Sequence, residues 1–266
     1  MTAGALFPPA STAGFDRQAP TLRFIDAWAP GPDRPDLAPG EIHLWRVLLD
    51  ASDDASLAVL SATERRRFEG FLRRRDAHQF GQTRAAVRGI LSRYLGVAAG
   101  EVAFTSTRSG KPGVLAPAGV ARGAPFYNVT HSHRLALCAV AGVDVGVDLE
   151  WLRPAPMAAG IAAGIVSAEG PIRPDEAPSP ERDWRFFQAW TRTEAALKAT
   201  GEGLAAIDRR PASMIRALAE LRPEPYDGRL RISDVPVSLD YIGAVATIDA
   251  GAVRTARCWT WQPNRS

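Results

Sequence analysis

Alternation of hydrophobic and polar residues predicts strands along much of the chain. The segment Glu41–Leu49 alternates well enough to form the first of them. Seven further runs have the same character: Glu101–Thr107, Pro125–Thr130, Leu135–Ala141, Val143–Glu150, Arg229–Val235, Asp240–Ile248 and Thr255–Gln262. The sequence therefore predicts a protein with strands both in its middle and at its end.

Helical spacing predicts two helices between the first two strands. Ser61 followed by Glu64 forms a capping box, the pairing that begins many helices, and hydrophobic residues then recur every three to four positions. A second helix is predicted over Gly81–Tyr94, with Gly96 as its end.

A long helix is predicted in the second half of the chain. Asp183 is expected to cap it, Trp184–Thr200 to form it and Gly201 to end it. A short helix is predicted before it, near Met157–Val166. Because strands and helices are mixed without regular alternation, the pattern favours the α+β class. Residues 1–40 hold seven of the 21 prolines and have no clear period, so we expect an irregular extension there.

Composition narrows the class of protein further. Hydrophobic residues make up 46% of the 266 residues, which is enough for a core. A net charge of +3 and a pI of about 9.2 suit an anionic ligand or an acidic partner, but they are too mild to indicate nucleic acid. Cys138 and Cys258 lie in apolar runs, which predicts core residues and a reducing compartment. We find no signal peptide and no apolar run long enough to span a bilayer, so we expect a cytoplasmic protein and no membrane partner.

Two segments concentrate the candidate chemistry, one at the end of a strand and one on the long helix. Asp148 and Glu150 are two apart, so they share one face of a strand. Glu194 and Lys198 are four apart, so they share one face of a helix. Three carboxylates and an ammonium suit a Mg²⁺ ion that holds a phosphate ester.

Each of these segments also has an ordinary structural explanation. An Asp-x-Glu sequence at a strand end is often a solvated turn, and a Glu–Lys pair four apart is a common helix salt bridge. However, the chain uses arginine for nearly all its positive charge, and Lys198 is one of just two lysines, with Lys111. A second candidate, His131, lies in a dense polar cluster at a strand end, which favours a phosphate or ribose site over a structural histidine.

At these residues the chain resembles a 4′-phosphopantetheinyl transferase of the Sfp type. Any one shared motif is weak, but six occur in the same order over most of residues 41–250. They are the basic helix Leu60–Arg67 with Arg73–Phe80, the arginine-containing helix Arg84–Leu91, the turn Gly110–Pro112, the polar stretch Asn128–Ser132, the Gly-x-Asp-x-Glu run Gly146–Glu150 and the helix Trp190–Lys198.

The resemblance implies a fold and a domain organisation. We expect two similar half-domains, a pseudo-dimer, each with a small antiparallel sheet packed against a long helix, and a ligand in the cleft between them. The extension would cover residues 1–40 and the half-domains residues 41–150 and 151–266. The family also implies a monomer, coenzyme A as co-substrate and an acidic acyl or peptidyl carrier protein as partner, in polyketide or nonribosomal peptide biosynthesis.

The resemblance also implies roles for individual residues. Asp148, Glu150 and Glu194 would hold Mg²⁺ against the pyrophosphate of coenzyme A. Glu194 would accept the proton of a carrier serine, and Lys198 would help adenosine 3′,5′-bisphosphate leave, so that Glu194, Lys198 and Asp148 form the catalytic set. The expected coenzyme-binding residues are Arg67, Arg65, Gly110, Lys111, Pro112, Thr130 and His131.

Several positions depart from the family pattern. Glu64 stands where a phosphate-binding lysine is common, which leaves Arg65 as a possible substitute. Thr193 replaces the lysine usual before the catalytic glutamate. Gln79 replaces a common arginine, and His133 replaces a frequent glycine.

Two other functions compete with this interpretation. A metal-dependent phosphodiesterase or nuclease can also use Asp-x-Glu with a later Glu and Lys, although nucleases of that kind favour Glu-x-Lys on a strand. A non-enzymatic nucleic-acid-binding module could use the arginine-rich helix, with affinity that falls steeply with salt. The second alternative gives no role to Asp148 or Glu150.

Overall fold

The structure is a computed structural model, and it describes residues 22–49, 55–118, 123–154, 166–167, 170–171, 177, 179–203, 229–249 and 251–263. These residues group into two compact units. The first unit contains Arg23–Val143 and Thr255–Ser266, and the second is built on Asp144–Arg254. The contacts therefore do not follow the predicted half-domain boundary at 150/151. They separate the two units between residues 143 and 144, and they place the end of the chain in the first unit.

The first unit is organised around a five-stranded sheet. Its strands are β1 (Arg23–Pro30), β2 (Glu41–Leu48), β5 (Phe126–Ser132), β6 (Leu135–Ala141) and β12 (Thr255–Thr260). Their order is β1-β12-β2-β6-β5. Strand β12 runs parallel to both β1 and β2, whereas β6 is antiparallel to β2 and β5. The sheet is mixed, so the prediction of an antiparallel sheet is wrong for this unit.

Strand β1 shows that part of the predicted irregular extension, residues 1–40, is ordered as a strand. Arg23–Pro30 pairs with the last strand of the chain, with a register shift between Ile25 and Ala29. The prolines misled the prediction because Pro30 ends the strand rather than interrupting it. Residues 1–21 lie outside the described part of the chain.

The first unit contains two helices, which pack against each other, and the second of them also contacts β2. Helix α1 (Ala62–Glu69) begins with the predicted capping box: the Ser61 amide donates to Glu64 Oε2 at 2.8 Å and the Glu64 amide to Ser61 Oγ at 3.3 Å. Helix α2 (Arg74–Leu95) begins seven residues before the predicted Gly81, and it ends at Gly96 in the left-handed conformation, as predicted. The buried side of α2 joins Trp45, Tyr127 and Trp259 in the main hydrophobic core.

The first unit also contains a short hairpin and two turns of 3₁₀ helix. Strand β3 (Phe104–Ser106) lies within the predicted strand Glu101–Thr107. It pairs antiparallel with β4 (Pro112–Val114), which begins at the last residue of the predicted turn Gly110–Pro112. The 3₁₀ turns cover Ala55–Val59 and Ala99–Glu101.

The second unit contains an antiparallel sheet and one long helix. Its strands β7 (Asp144–Trp151), β10 (Leu230–Ser238) and β11 (Tyr241–Ile248) have the order β10-β11-β7. Helix α3 (Pro180–Thr200) lies against this sheet. Two short strands, β8 (Val166–Ser167) and β9 (Gly170–Pro171), pair with each other. This unit confirms the predicted combination of a small antiparallel sheet and a long helix.

Helix α3 starts earlier than predicted. Ser179 accepts the hydrogen bond of the Arg182 amide and Pro180 occupies the first helical position, so Ser179 caps the helix and Asp183 lies inside it. Gly201 ends it as predicted. The short helix predicted near Met157–Val166 falls largely outside the described residues; Val166 itself belongs to β8. None of the helices described is both long enough and apolar enough to cross a membrane.

Candidate active site

The candidate site is built where helix α3 crosses strand β7 with almost no space between their backbones. A Cβ atom on Gly146 would lie 2.1 Å from the Ala195 carbonyl oxygen and 2.3 Å from the Ala199 amide nitrogen. Ala246 lies beside Gly146 on the next strand and is fully buried. This glycine therefore sets how closely the helix approaches the strand, a role that the motif alone did not reveal.

The close approach brings Asp148 next to Lys198 and Glu194. Asp148 follows Gly146 on the same face of β7. It pairs with Ala244 on the next strand, a small residue that leaves space above the sheet for the Asp148 side chain. The Lys198 ammonium lies 2.5 Å from Asp148 Oδ1 and 3.0 Å from Glu194 Oε2. The structure thus joins three of the predicted catalytic and metal-binding residues through one ammonium group.

Burial and the neighbouring charges together set the pKa values of this cluster. Burial raises the pKa of Asp148 to about 7, Lys198 opposes this rise, and the charges of Glu194 and Glu150 add to it. Burial alone would lower the pKa of Lys198, but the carboxylates of Asp148 and Glu194 outweigh it, so that pKa is raised. The lysine remains a cation, while the ionisation of Asp148 is disfavoured mainly because burial removes its carboxylate from water.

Glu150, the third predicted metal ligand, is held by an arginine that sequence reasoning missed. Arg153 Nη1 donates to Glu150 Oε2 at 3.0 Å and to the Trp151 carbonyl oxygen at 2.9 Å. The guanidinium carbon lies 4.9 Å from the centroid of the Phe187 ring on α3. Arg153 lies just after the end of β7, where no hydrophobic period predicts which way a side chain points. Its position three residues after Glu150 was the available sequence signal for their contact.

Within the described residues, no group of three or more His, Cys, Asp or Glu side chains is arranged so that it could hold a metal ion. The donor set nevertheless fits Mg²⁺ in its chemistry. Asp148, Glu150 and Glu194 offer hard carboxylate oxygen atoms, the type of ligand that Mg²⁺ prefers.

Two further sets of contacts hold helix α3, so that the face with the candidate catalytic residues stays in place. Arg192 forms a two-pronged ion pair with Asp234 on β10, at 2.8 Å and 2.6 Å, and Gln188 donates to the same carboxylate at 3.1 Å. Thr193, the departure from the family lysine, is fully buried and donates to the Ala189 carbonyl oxygen at 2.8 Å. Position 193 is therefore structural in this chain.

The predicted coenzyme-binding arginines lie on α1. Arg65 and Arg67 are exposed, and the Arg67 guanidinium carbon lies 4.7 Å from the centroid of the Phe80 ring. Glu64 faces the opposite way and is buried between Arg84 and Arg88. Burial alone would raise the pKa of Glu64, but hydrogen bonds from Arg88, the Ser61 amide and Arg84 lower it to about 2.

The remaining predicted coenzyme residues lie on two other elements of the first unit. Thr130 and the exposed His131 belong to β5, near its end. Gly110, Lys111 and Pro112 join β3 to β4, and Gly110 has a left-handed φ of 84° that favours glycine. The turn is closed by the Thr107 amide, which donates to the Lys111 carbonyl oxygen at 2.9 Å, so the predicted turn is confirmed.

Comparisons with known proteins define the family. The sequence model of the 4′-phosphopantetheinyl transferase superfamily matches residues 144–226, which include β7 and α3. The 4′-phosphopantetheinyl transferase HetI of Nostoc sp. is 35% identical over 185 residues, which cover 68% of this chain and 77% of HetI. Sfp of Bacillus subtilis is 24% identical over 165 residues, covering 61% of this chain and 70% of Sfp.

A putative 4′-phosphopantetheinyl transferase of Synechocystis sp. is also similar, at 32% identity over 148 residues, which cover 55% of this chain and 59% of that protein. The chain belongs to the 4′-phosphopantetheinyl transferase superfamily. The resemblance drawn from the six motifs is confirmed at the level of the family.

Proposed function

We propose that this protein transfers the 4′-phosphopantetheine arm of coenzyme A to a serine of an acyl or peptidyl carrier protein. The observation that carries the proposal is the buried junction of β7 and α3, where Lys198 bridges Asp148 and Glu194 within the segment that matches the family. The same cluster argues against a nucleic-acid-binding module, because its excess of carboxylates would repel a phosphate backbone.

In the proposed reaction, the serine hydroxyl oxygen forms a bond to the β-phosphorus of coenzyme A. The bond between that phosphorus and the bridging oxygen breaks, and adenosine 3′,5′-bisphosphate leaves with the electron pair. Glu194 accepts the serine proton, and Lys198 stabilises the charge that builds on the leaving phosphate. Asp148 keeps the Lys198 ammonium at this position, since it lies 2.5 Å from it.

Asp148, Glu150 and Glu194 are the residues that would hold Mg²⁺. The bound ion supplies positive charge against the pyrophosphate, which lowers the cost of the negative charge that develops there. Before an ion binds, Arg153 holds the Glu150 carboxylate and Lys198 holds the other two. Lys198 therefore keeps Asp148 and Glu194 close together despite their mutual repulsion, and Arg153 balances the charge of Glu150.

The remaining assignments follow the family resemblance. Arg65, Arg67, Thr130, His131 and the turn Gly110–Pro112 are proposed to bind the nucleotide part of coenzyme A. An Sfp-type enzyme that acts as a cytoplasmic monomer on an acidic carrier in polyketide or nonribosomal peptide biosynthesis remains our prediction. The pseudo-dimer arrangement with its ligand cleft also remains a prediction.

A carrier mass-shift assay tests the proposal. The protein is incubated with Mg²⁺, coenzyme A and a panel of acyl, aryl and peptidyl carriers, and at least one carrier is expected to gain the mass of one phosphopantetheine. Glu194→Gln is expected to reduce the rate at least about 100-fold, because it removes the proton acceptor. Glu181→Gln, an exposed glutamate in the first turn of the same helix, is the matched control and should keep the wild-type rate.

Two outcomes would contradict the proposal. The first is a panel in which no carrier gains mass although the protein is folded and coenzyme A is present. The second is a Glu194→Gln variant as active as Glu181→Gln, which would remove Glu194 from the chemistry.

A further inference from the structure

Arg153 is held by three different groups just after strand β7 ends. Its Nη1 donates to Glu150 Oε2 at 3.0 Å and to the Trp151 carbonyl oxygen at 2.9 Å. Its guanidinium carbon lies 4.9 Å from the centroid of the Phe187 ring on α3, which is close enough for a cation–π contact. This side chain therefore joins the same strand and helix that carry the candidate catalytic residues.

The groups that hold Arg153 are themselves fixed. Phe187 is 1% exposed and packs edge-on against Phe186, with 5.3 Å between the ring centroids. The amide of Leu152, the residue before Arg153, donates to the Asp240 carbonyl oxygen at 2.9 Å, which ties the chain after β7 to the turn between β10 and β11. A cation that is oriented in this way loses less conformational freedom in an ion pair than a mobile surface side chain does.

Each proposed metal ligand has a cation of this chain beside it. Lys198 contacts Asp148 and Glu194, and Arg153 contacts Glu150. The proposed reaction gives Lys198 a role at the leaving phosphate, whereas it assigns Arg153 no chemical step. A divalent ion that binds the free protein through Glu150 must compete with Arg153 for this carboxylate. Arg153 therefore lowers the affinity of the free protein for the ion.

Bound coenzyme A changes this competition. In the proposed reaction the pyrophosphate shares an ion with Glu150, so it also comes under the influence of the positive charge of Arg153. The forked N–H donors of a guanidinium match phosphate oxygens as well as carboxylate oxygens. An arginine that turns to the pyrophosphate no longer neutralises Glu150, so coenzyme binding and metal binding favour each other through Arg153.

We propose that Arg153 exchanges partners, from Glu150 in the free protein to the pyrophosphate in the coenzyme complex, and so makes tight metal binding depend on coenzyme A. In the free protein Arg153 is a positioning residue, because it affects the ion only through the Glu150 carboxylate. The inference rests on the proposed function, in which the ion and the coenzyme share this site. Its test measures metal binding and needs no carrier protein.

Titration with Mn²⁺ at constant ionic strength tests this role. Mn²⁺ takes oxygen ligands as Mg²⁺ does, and electron paramagnetic resonance measures the unbound ion. Without coenzyme A, Arg153→Gln is expected to bind Mn²⁺ about two- to fivefold more tightly than the wild type, because the ion no longer competes with a partly exposed ion pair. With saturating coenzyme A, the variant should bind Mn²⁺ no more tightly than the wild type.

The Glu150→Gln variant separates this role from a purely structural one. If Arg153 acts through the Glu150 carboxylate, adding Arg153→Gln to Glu150→Gln should leave the Mn²⁺ affinity of the free protein nearly unchanged. A purely structural role would instead lower the affinity in both backgrounds. Arg153→Met keeps an apolar stem beside Phe187 and should behave like Arg153→Gln, with thermal unfolding to verify that both variants are folded. Arg254→Gln removes an exposed arginine of the same unit and is the matched control, which should bind Mn²⁺ like the wild type.

Two results would overturn the proposal. The first is a Mn²⁺ affinity of free Arg153→Gln that is unchanged or weaker than that of the wild type. The second is an equal increase with and without coenzyme A, which would mean that Arg153 does not exchange partners.

These results are distinguishable from a failure of the proposed function. If carriers gain mass but the Mn²⁺ affinities of Arg153→Gln and the wild type are equal, the transferase activity stands and the role of Arg153 is wrong. If no carrier gains mass but the Mn²⁺ affinities change as expected, Arg153 couples the ion to coenzyme A at a site that does not transfer phosphopantetheine.

Discussion

The Lys198 ammonium occupies a space that suits a compact cation. Gly146 lets α3 approach so closely that a Cβ there would lie 2.9 Å from the Lys198 carbonyl carbon, and both carboxylate contacts are 3.0 Å or shorter. A guanidinium is larger and planar, and its charge is spread over three nitrogens. This geometry explains why a lysine stands here in a chain that uses arginine for nearly all its positive charge.

Substitution of Lys198 is expected to affect turnover more than binding. Lys198→Met should lower kcat at least about 100-fold and weaken coenzyme A binding less than about tenfold, because its charge acts mainly on the departing phosphate. Lys198→Arg keeps the positive charge but should restore only part of the rate, because a planar guanidinium cannot reproduce both carboxylate contacts of the ammonium. Carrier modification kinetics and calorimetry measure the two effects. An equal loss in kcat and in affinity, or full activity of the arginine variant, would contradict this role.

The raised pKa of Asp148 predicts how stability depends on pH in the absence of metal. An aspartate in the unfolded chain titrates near 3.9, whereas burial raises the pKa of Asp148 in the folded protein to about 7. The folded state therefore binds this proton more tightly, so its stabilising contribution is present below about pH 4 and is lost as the pH rises to about 7.

Urea unfolding in EDTA at pH 5 and pH 8 measures this dependence. Asp148→Asn cannot titrate at this position, so its free energy of unfolding should fall less between the two pH values than that of the wild type, by about 1–3 kcal/mol. Asp144→Asn, on the same strand, is the control and should follow the wild type. Parallel behaviour of Asp148→Asn and wild type would show that the carboxylate is not destabilised by burial.

Among single residues, those with a regular spacing could be predicted from the sequence. Asp148 lies on a strand and Glu194 and Lys198 on a helix, and the periods of two and four determine which side chains share a face. Asp234 could not be predicted as the partner of Arg192, and Arg153 was indicated as the partner of Glu150 only by its spacing of three. Their contacts depend on the path of the chain after a strand and on the pairing of distant elements.

At the scale of elements, strand β7 and helix α3 pack closely because the residues at their contact are small. Ala195, Ala196 and Ala199 pack on Ala244 and Ala246, and Gly146 completes this surface. The strand and the helix were each predicted from their periods, and the contact between them was not, because small residues carry little hydrophobic signal. The start of α3 was predicted at the wrong residue because Ser179 and Asp183 are both favourable N-cap residues. Pro180 is favoured at the first helical position, which makes Ser179 the cap.

Gly146→Ala tests this packing. The added methyl group would overlap backbone atoms that cannot move separately from α3, so we expect a loss of at least about 3 kcal/mol in the free energy of unfolding, or a failure to fold. Gly142→Ala is the matched control, because nothing lies within 4 Å of a Cβ there, and it should stay within about 1 kcal/mol of the wild type. A Gly146→Ala variant as stable as this control would mean that α3 lies farther from β7.

At the scale of the whole molecule, the last strand of the chain completes a sheet that the first half begins. Strand β12 lies between β1 and β2, and Trp259 packs 4.9 Å from Trp45 and 4.6 Å from His43, measured between ring centroids. The sequence indicates that β12 is a strand but not where it pairs, since its partners lie more than 200 residues away. The predicted half-domain 151–266 contains β12, whereas the contacts group this strand with Arg23–Val143.

The register of the sheet predicts that the first unit can be made without the second. Thr255 pairs with Glu41 on β2, and Ala141 pairs with the adjacent Ile42, so residue 141 and residue 255 lie two strands apart. At about 4.8 Å per strand this is roughly 10 Å, a distance that about six flexible residues can span. Replacing residues 144–254 by such a linker should thus leave β12 free to pair between β1 and β2.

We expect this shortened protein to unfold cooperatively in urea, with circular dichroism and tryptophan fluorescence changing together. The fragment 23–143, which lacks β12, should show no cooperative transition, because β1 loses its partner strand and the Trp45 side of the core loses Trp259. If both proteins unfold with the same midpoint, β12 contributes nothing to the sheet and the interleaved arrangement is wrong. If only the linked protein is cooperative, the first unit folds without the second and can be studied apart from the acidic cluster at Asp148.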